Sequence, residues 1–394
     1  MKKPGFLTKT ILLVSFVSLF TDIASEMLYP IMPVYLRSIG FSVLLIGILE
    51  GVAEATAGLS KGYFGHLSDA RGRRVPFVRW GYTLSAFSKP MMAVSRFPAW
   101  IFLARTLDRF GKGIRTSARD AMLSDEATPA HKGKVFGFHR AMDTVGAAIG
   151  PMFALAFLHV LPGRYRWLFL IAFIPGLLAV ALTLLLRDQP PAEPVPQGTA
   201  PKVGLLSYLK YWKKAPAGFR LLVSCLLLFT LFNSSDAFLL LALKTRGLSD
   251  TGMIGFYIFY NMAYALLSFP IGVVADRIGL KRTLVIGLLT FAVVYFFFGF
   301  AASSLAFGAL FLLYAVYASS TEGISKALIS NLAAKSDTAT ALGFYNSLAS
   351  VFTLAASSLA GLLWLAVGPR TMFMISGAGV FLVAVYLGLV FKRT

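Results

Sequence analysis

The sequence predicts an all-α polytopic membrane protein, twelve spans arranged as two pseudo-symmetric six-helix bundles. Three observations predict it. First, 57% of the 394 residues are hydrophobic and only 14% are charged, where a soluble chain carries about a quarter charged residues. Second, about a dozen runs reach the roughly 20 apolar residues that a helix needs to cross a bilayer. They are continuous rather than alternating, which argues against strands. Third, a single long polar segment divides six runs from six, and the two halves repeat one another.

Spans are expected near 9–37, 43–66, 76–95, 98–117, 134–159, 166–186, 219–244, 251–275, 282–301, 304–326, 339–365 and 371–391. The start "MKKPGFLTK" followed by an apolar run has the look of a signal peptide. The run is too long, holds two acids and lacks a small-x-small cleavage site, so it reads as the first span. The net charge of +20 follows the topology. Loops on one side of the membrane carry 24 of the 37 Lys and Arg, those on the other side 7. The basic side is the cytoplasmic one, which places both termini there. The basic excess therefore reads as orientation and contact with lipid headgroups, not as nucleic-acid binding. Cys225 stands alone, which excludes an internal disulfide and reads as a packed apolar residue.

The domain reading is 1–186 for the first bundle, 187–218 for a cytoplasmic linker and 219–394 for the second bundle. The linker is Pro-rich at its start, where regular helix cannot form. Its end, "LLSYLKYWKK", is basic and amphipathic and is expected on the inner membrane surface. Five pairs share an offset of 207: Gly40 with Gly247, Ser42 with Ser249, Gly65 with Gly272, Asp69 with Asp276 and Gly72 with Gly279. Repeated halves are a common transporter plan, with the binding site between them near the midplane.

The repeated stretches are "GHLSDARGRR" at 65–74 and "GVVADRIGLKR" at 272–282. Both resemble the G-x-x-x-D-R-x-G-x-[KR]-[KR] signature loop of the major facilitator superfamily. The second copy fits, while the first has Ala70 where a basic residue is usual and Arg71 one place later. The resemblance covers essentially the whole chain. It implies two six-helix bundles rocking about a central cavity, and a loop that locks the cytoplasmic side closed. Gly65, Asp69, Arg71, Arg73, Arg74, Gly272, Asp276, Arg277 and Gly279 are its residues here. The residues also have a reading of their own. The glycines permit close helix approach, and an Asp at a helix end can accept from free backbone N–H groups of a neighbouring helix. The arginines can pair with Asp120 or Asp125 on the next loop, or simply set topology. "GAAIGP" at 146–151 is similar to the opening of a motif found in drug–proton antiporters, without its closing glycines. Gly146, Gly150 and Pro151 would let span 5 pack closely and bend, and G-x-x-x-G also serves packing alone.

Ionisable residues inside a membrane are functional candidates by default. Span 1 holds Asp22 and Glu26, one helical turn apart, and span 2 holds Glu50, Glu54 and Lys61. Lys89 lies in span 3. Span 4 holds Arg105, Asp108, Arg109 and Lys112, at the spacing of one helix face. At about 1.5 Å per residue, Glu26 and Arg109 each lie about 15 Å deep, Glu54 about 16 Å, and Asp22 and Lys112 about 20 Å. The superfamily resemblance puts spans 1, 4, 7 and 10 around the cavity, so the span 1 acids can meet the span 4 stripe. The second half differs: Asp22, Glu26 and Glu54 map to Phe229, Asn233 and Asn261. Spans 7 and 10 instead offer Asn233, Asp236 and Glu322, with Tyr314 and Tyr317 either lining the cavity or packing. Arg140 and Asp143 in span 5 are expected to pair with each other or with loop residues, and His139 reads as structural.

The expectation is a secondary active transporter, not an enzyme, in which Asp22, Glu26 or Glu54 takes up and releases a proton. The alternative for each acid is that it only neutralises the span 4 bases. Proton-coupled efflux of a small molecule leads, with proton-coupled uptake or lipid translocation on the same scaffold as alternatives. The absence of a phosphate-binding P-loop and of H-x-x-x-H spacing in the sequence argues against a primary pump and a metal site. No cofactor is expected. The partners are protons, a small-molecule substrate and the inner-membrane bilayer, and the state is monomeric. Acids and bases are both present, so substrate charge stays open.

Overall fold

A computed structural model describes residues 7–189 and 203–391, which are helical with no strand among them. The α-helices are α1 (Lys9–Glu26), α2 (Met32–Ser38), α3 (Val43–Ala70), α4 (Val75–Val94), α5 (Pro98–Glu126), α6 (Lys132–Val160), α7 (Tyr165–Leu184), α8 (Tyr211–Lys214), α9 (Ala217–Phe232), α10 (Asp236–Thr245), α11 (Asp250–Ile278), α12 (Leu280–Phe298), α13 (Ser304–Leu332) and α14 (Thr338–Val390). α14 is two helices joined at Gly368, whose φ of 83° interrupts the helix just before Pro369. With α1–α2 and α9–α10 each counted as one span and α14 as two, the chain crosses the membrane twelve times.

Seven stretches from Pro129 to Val390 are long and apolar enough to cross a membrane, and they hold the last eight spans. The first four spans, α1–α2, α3, α4 and α5, fall outside that set. They carry most of the acids and bases that the sequence places in the membrane. Apolar side chains face outward where lipid lies: Leu266, Leu305 and Leu365 are 73%, 85% and 85% exposed.

Span 1 is not the continuous helix expected over 9–37. α1 ends at Glu26, a turn runs through residues 27–31, and α2 restarts with Pro33 at its N-terminus. Pro30 has no N–H to continue the ladder. Span 7 breaks at the equivalent place, where Asn233 ends α9 and Ser235 caps α10.

The offset of 207 is a structural repeat. Gly40 and Gly247 both adopt positive φ, 95° and 84°. Two residues on, Ser42 Oγ and Ser249 Oγ each accept from the backbone N–H three residues ahead, both at 3.1 Å, the expected N-cap bond. A Cβ on Gly65 would overlap the Ala339 carbonyl, and one on Gly272 the Gly133 carbonyl.

The chain divides into two compact units. The first takes its described residues from Met1–Ala127, Met142–Lys213 and Ala334–Ser347, the second from Thr128–Ala141, Lys214–Ala333 and Leu348–Thr394. Of the expected linker, residues 190–202 lie outside the described residues. Its end does not simply float on a lipid surface. Tyr208 packs its ring where only a glycine, Gly62, leaves room, and its hydroxyl meets Ser347 Oγ at 2.8 Å. Trp212 stacks on Phe344 with centroids 5.7 Å apart. The aromatic face of this amphipathic stretch is covered by protein, while Leu205, Leu206 and the lysines stay exposed.

Candidate functional site

In the first unit the α5 stripe splits into buried and open charges. Lys89 Nζ of α4 donates to Asp108 Oδ1 at 2.8 Å and to Ser25 Oγ of α1 at 3.2 Å. Ser88 Oγ adds a bond to the same carboxylate oxygen at 3.3 Å. Arg105 grips Glu50 of α3 through Nε at 2.8 Å and Nη2 at 2.9 Å, the bidentate geometry that suits a guanidinium. Its Nη1 lies 3.5 Å from Asp108 Oδ2. Lys89, Arg105 and Asp108 are buried, so this group is a tie between α1, α3, α4 and α5 rather than a cavity surface. Arg109 Nη1 pairs with Glu54 Oε1 at 3.1 Å. Lys112 is exposed, and its side chain makes no ion pair or hydrogen bond among the described residues.

Depth alone matches Arg109 with Glu26 and Lys112 with Asp22, and neither ion pair forms. Rise per residue fixes the level of a side chain but not its direction around the helix. α3 reaches α5 first, because Gly113 leaves no Cβ to strike Ser60 and the Ala57 carbonyl. The α3 acids therefore take Arg105 and Arg109.

The acids of α1 meet α6 instead. A Cβ on Gly146 would come within 2.5 Å of the Leu19 carbonyl and 3.1 Å of Asp22 Cβ. One on Gly150 would come within 2.7 Å of both the Ile23 carbonyl and the Met27 N–H. These glycines seat α6 along the part of α1 that carries both acids, and Pro151 lies inside α6. Asp143 lies three residues before Gly146, on the same face. Its carboxyl comes close enough to that of Asp22 for the two to act on one another. Two carboxyl groups at one helix contact can share a single proton, whereas two ionised ones place like charges there. Arg119 Nη1 lies 3.9 Å from Asp143 Oδ1 and donates to Ser18 Oγ at 3.0 Å, while its Nη2 donates to Asp120 Oδ1 at 2.8 Å. Glu26 is half-buried and makes no ion pair among the described residues. Sequence reasoning missed the role of Asp143. The available signal was its register with Gly146 and Gly150.

The second unit has a different chemistry. Tyr314 donates its hydroxyl to Asp236 Oδ1 at 2.6 Å, and Asn233 Nδ2 donates to the Tyr317 hydroxyl at 3.1 Å. Both tyrosines are buried, with Tyr260 packed against Tyr314 at 5.1 Å between centroids. Arg140 of α6 reaches the same group. Its Nε donates to the Tyr264 hydroxyl at 2.6 Å and its Nη2 pairs with Glu322 at 2.5 Å. Cys225 is buried among apolar neighbours.

The sequence profile described as Major Facilitator Superfamily matches residues 14–262 and 252–394. The chain belongs to the Major Facilitator Superfamily. It is 32% identical over 374 residues to an uncharacterized MFS-type transporter of Methanocaldococcus jannaschii, covering 93% of this chain and 91% of the relative. A shorter stretch of 161 residues is 24% identical to the quinolone resistance protein NorA of Staphylococcus aureus, 41% of this chain and 40% of NorA. The crystal structure of the human organic anion transporter MFSD10 superposes with a TM-score of 0.81 over 98% of this chain and 100% of that one, at 19% identity. That likeness is one of fold.

In this superfamily member the two signature-loop aspartates act as helix caps. Asp69 accepts from the N–H of Ala339 at 3.3 Å, from the N–H of Thr340 at 2.5 Å and from the Thr340 hydroxyl at 2.6 Å. Asp276 accepts from the N–H of Gly133 at 2.8 Å and of Lys134 at 3.0 Å. Each carboxylate thus satisfies otherwise free donors at a helix start, where the dipole favours negative charge. Burial pushes the Asp69 carboxyl up to about 6, against the opposing pull of Arg74 and the Thr340 bonds. Of the loop arginines, Arg74 pairs with Asp69 and, at 3.6 Å, with Asp125. Asp120 is wholly buried and pairs with its neighbour Arg119. Arg71 lies 6.0 Å above the Phe77 ring. Arg73 and Arg277 are exposed and make no ion pair among the described residues. A residue outside the expected set contributes here as well: Asp188 Oδ1 accepts from the N–H groups of Arg74 and Val75 at 2.7 and 2.8 Å, capping α4.

Proposed function

We propose that this superfamily transporter exports a small solute in exchange for protons, alternating access to a central site. The observation that carries the proposal is the meeting of two carboxyl groups, Asp22 and Asp143, where Gly146 brings α6 against α1. Such a pair can hold and release a proton at membrane depth, beside a second acid, Glu26, that makes no ion pair among the described residues. Discontinuous spans often mark transporter binding sites, and spans 1 and 7 both break directly after Glu26 and Asn233. The match to NorA favours export over uptake. The basic loops favour an inner-membrane protein with both termini in the cytoplasm. On that orientation, Asp69 and Asp276 cap helices on the cytoplasmic side and hold that side closed until the caps are withdrawn.

The test uses proteoliposomes with an imposed pH gradient and a fluorescent quinolone as transported probe. Wild type is expected to move the probe against its gradient. Asp22→Asn and Asp143→Asn are expected to keep downhill exchange and lose the gradient-driven component. Full coupling in Asp22→Asn, Asp143→Asn, Glu26→Gln and Glu54→Gln alike overturns the proposal.

A further inference from the structure

In the first unit α3 and the start of α14 meet along a seam with almost no side chain between them. A Cβ on Gly343 of α14 would come within 2.5 Å of the Lys61 carbonyl of α3, and Asp69 of α3 caps α14 at Ala339 and Thr340. The end of the linker lies across this seam. The Tyr208 ring fills the notch at Gly62 of α3, where a Cβ would come within 2.5 Å of it. Its hydroxyl meets Ser347 Oγ of α14 at 2.8 Å. One turn later Trp212 lies flat on Phe344 of α14, with 5.7 Å between centroids and 16° between ring planes. Tyr208, Tyr211 and Trp212 recur at the spacing of one helix face, in a 3-10 turn over Ser207–Lys210 that runs into α8. The opposite face is bare. Leu205 and Leu206 are 62% and 53% exposed, Leu209 is exposed beside them, and so are Lys210, Lys213 and Lys214. No acid stands between residues 203 and 216.

We propose that residues 204–214 form a strap whose bare face docks on anionic phospholipid, so that the lipid holds the strap across the seam between α3 and α14. The occupant follows from level and charge. Gly62 lies about 6 Å inside the expected end of span 2, so the segment that packs on it runs at the edge of the hydrocarbon. Leucines exposed at that level find acyl chains rather than water, and lysines beside them meet headgroups. Three cations with no acid among them favour lipids that carry net negative charge. On the orientation proposed above, this is the cytoplasmic leaflet. The aromatic face converts lipid binding into a hold on protein. Tyr208 touches both helices at once, so α3 and α14 cannot part without lifting it from Gly62 or Ser347. The Asp69 cap then has a second fastening beside it, one set by the composition of the bilayer.

The test is hydrogen exchange of the full chain in nanodiscs, read by mass spectrometry. Discs of phosphatidylcholine alone are compared with discs of phosphatidylcholine mixed with phosphatidylglycerol. Each lysine beside an anionic surface is worth about fivefold in binding. The amides of 204–214 are expected to exchange slower by about fivefold or more in the mixed discs, and those of 338–347 to slow with them. High salt should cancel the difference, because exposed charges are screened. Lys210→Gln, Lys213→Gln and Lys214→Gln combined should abolish both effects, and Leu205→Ser with Leu206→Ser should weaken them. Tyr208→Ala should keep a lipid response in the segment and lose it at 338–347. Equal exchange of 204–214 in the two discs overturns the proposal, as does a lipid response that survives the triple lysine change. The same protection from soluble glycerol phosphate added to phosphatidylcholine discs also overturns it, since the site then takes a phosphate and not a bilayer. A response in the segment without one at 338–347 in wild type removes the hold on the seam. None of these readings needs a gradient or a transported solute, so the proposal stands or falls apart from the exchange reading.

Discussion

The carboxyls of Asp143 on α6 and Asp22 on α1 act on one another at the contact that Gly146 makes between the two helices. A proton shared by the two leaves one negative charge there, and its loss sets two like charges against each other at a helix contact. Asp143→Asn supplies a permanent donor from its amide. The expected result is a flattened pH profile and a drop of about tenfold in gradient-driven flux, measured in proteoliposomes at several pH values. An unchanged profile rules out the pair as a titrating unit.

Gly146 and Gly150 set the distance between α6 and α1. Gly146→Ala puts a Cβ 2.5 Å from the Leu19 carbonyl, which belongs to backbone and cannot swing away. Overpacking of this kind costs about 1–3 kcal/mol. The melting temperature in detergent should fall for Gly146→Ala and Gly150→Ala. It should hold for Gly255→Ala, where a Cβ meets nothing within 4 Å.

Lys89 neutralises a buried carboxylate. Lys89→Met strands Asp108, and losing one member of such a pair costs about 3–5 kcal/mol. Arg105, 3.5 Å away, offsets part of that, which places the expected loss at the lower end. The double change Lys89→Met with Asp108→Leu should recover most of it. Chemical denaturation of the three proteins measures the difference.

Asp69 gives a pH dependence of defined sign. Its carboxyl sits at about 6 in the fold against 3.8 as the reference. A raised carboxyl favours the fold below the reference value and loses that contribution as pH rises through the folded one. Wild type should therefore lose melting temperature relative to Asp69→Asn between about pH 4 and pH 6, and the difference should be flat above that. A difference that grows with pH contradicts the assignment.

Much of the architecture is written in hydropathy, because a bilayer leaves the backbone few options but helix. Apolar runs, basic loops and a repeat at one offset were enough for twelve spans. The break after Glu26 was less visible: Pro30 and Pro33 signal a bend, but not that the helix would stop before them. Site residues were legible as a set and not as pairs. Asp22, Glu26, Glu54, Arg109 and Lys112 all stand out as charges in apolar surroundings. Which acid faces which base depends on the rotation of each helix, and that is set by small residues elsewhere. Gly113 turns α5 toward α3, and Gly146 turns α6 toward α1. Arg140 and Asp143 were expected to pair with each other or with loop residues, and closeness in sequence gave no sign of the bonds of Arg140 to Tyr264 and Glu322 or of the approach of Arg119 to Asp143.

The caps at Asp69 and Asp276 have a consequence for how the chain can change over generations. The partner of each carboxylate is mainly the peptide group, which every residue except proline supplies. Substitutions at Ala339, Gly133 and Lys134 therefore need no matching charge change at the aspartates. Correlated change should appear instead in bulk, between Gly65 and Ala339 and between Gly272 and Gly133, where backbones nearly touch. Searches for co-evolving charge pairs will pass over both contacts, and searches for linked small residues will find them.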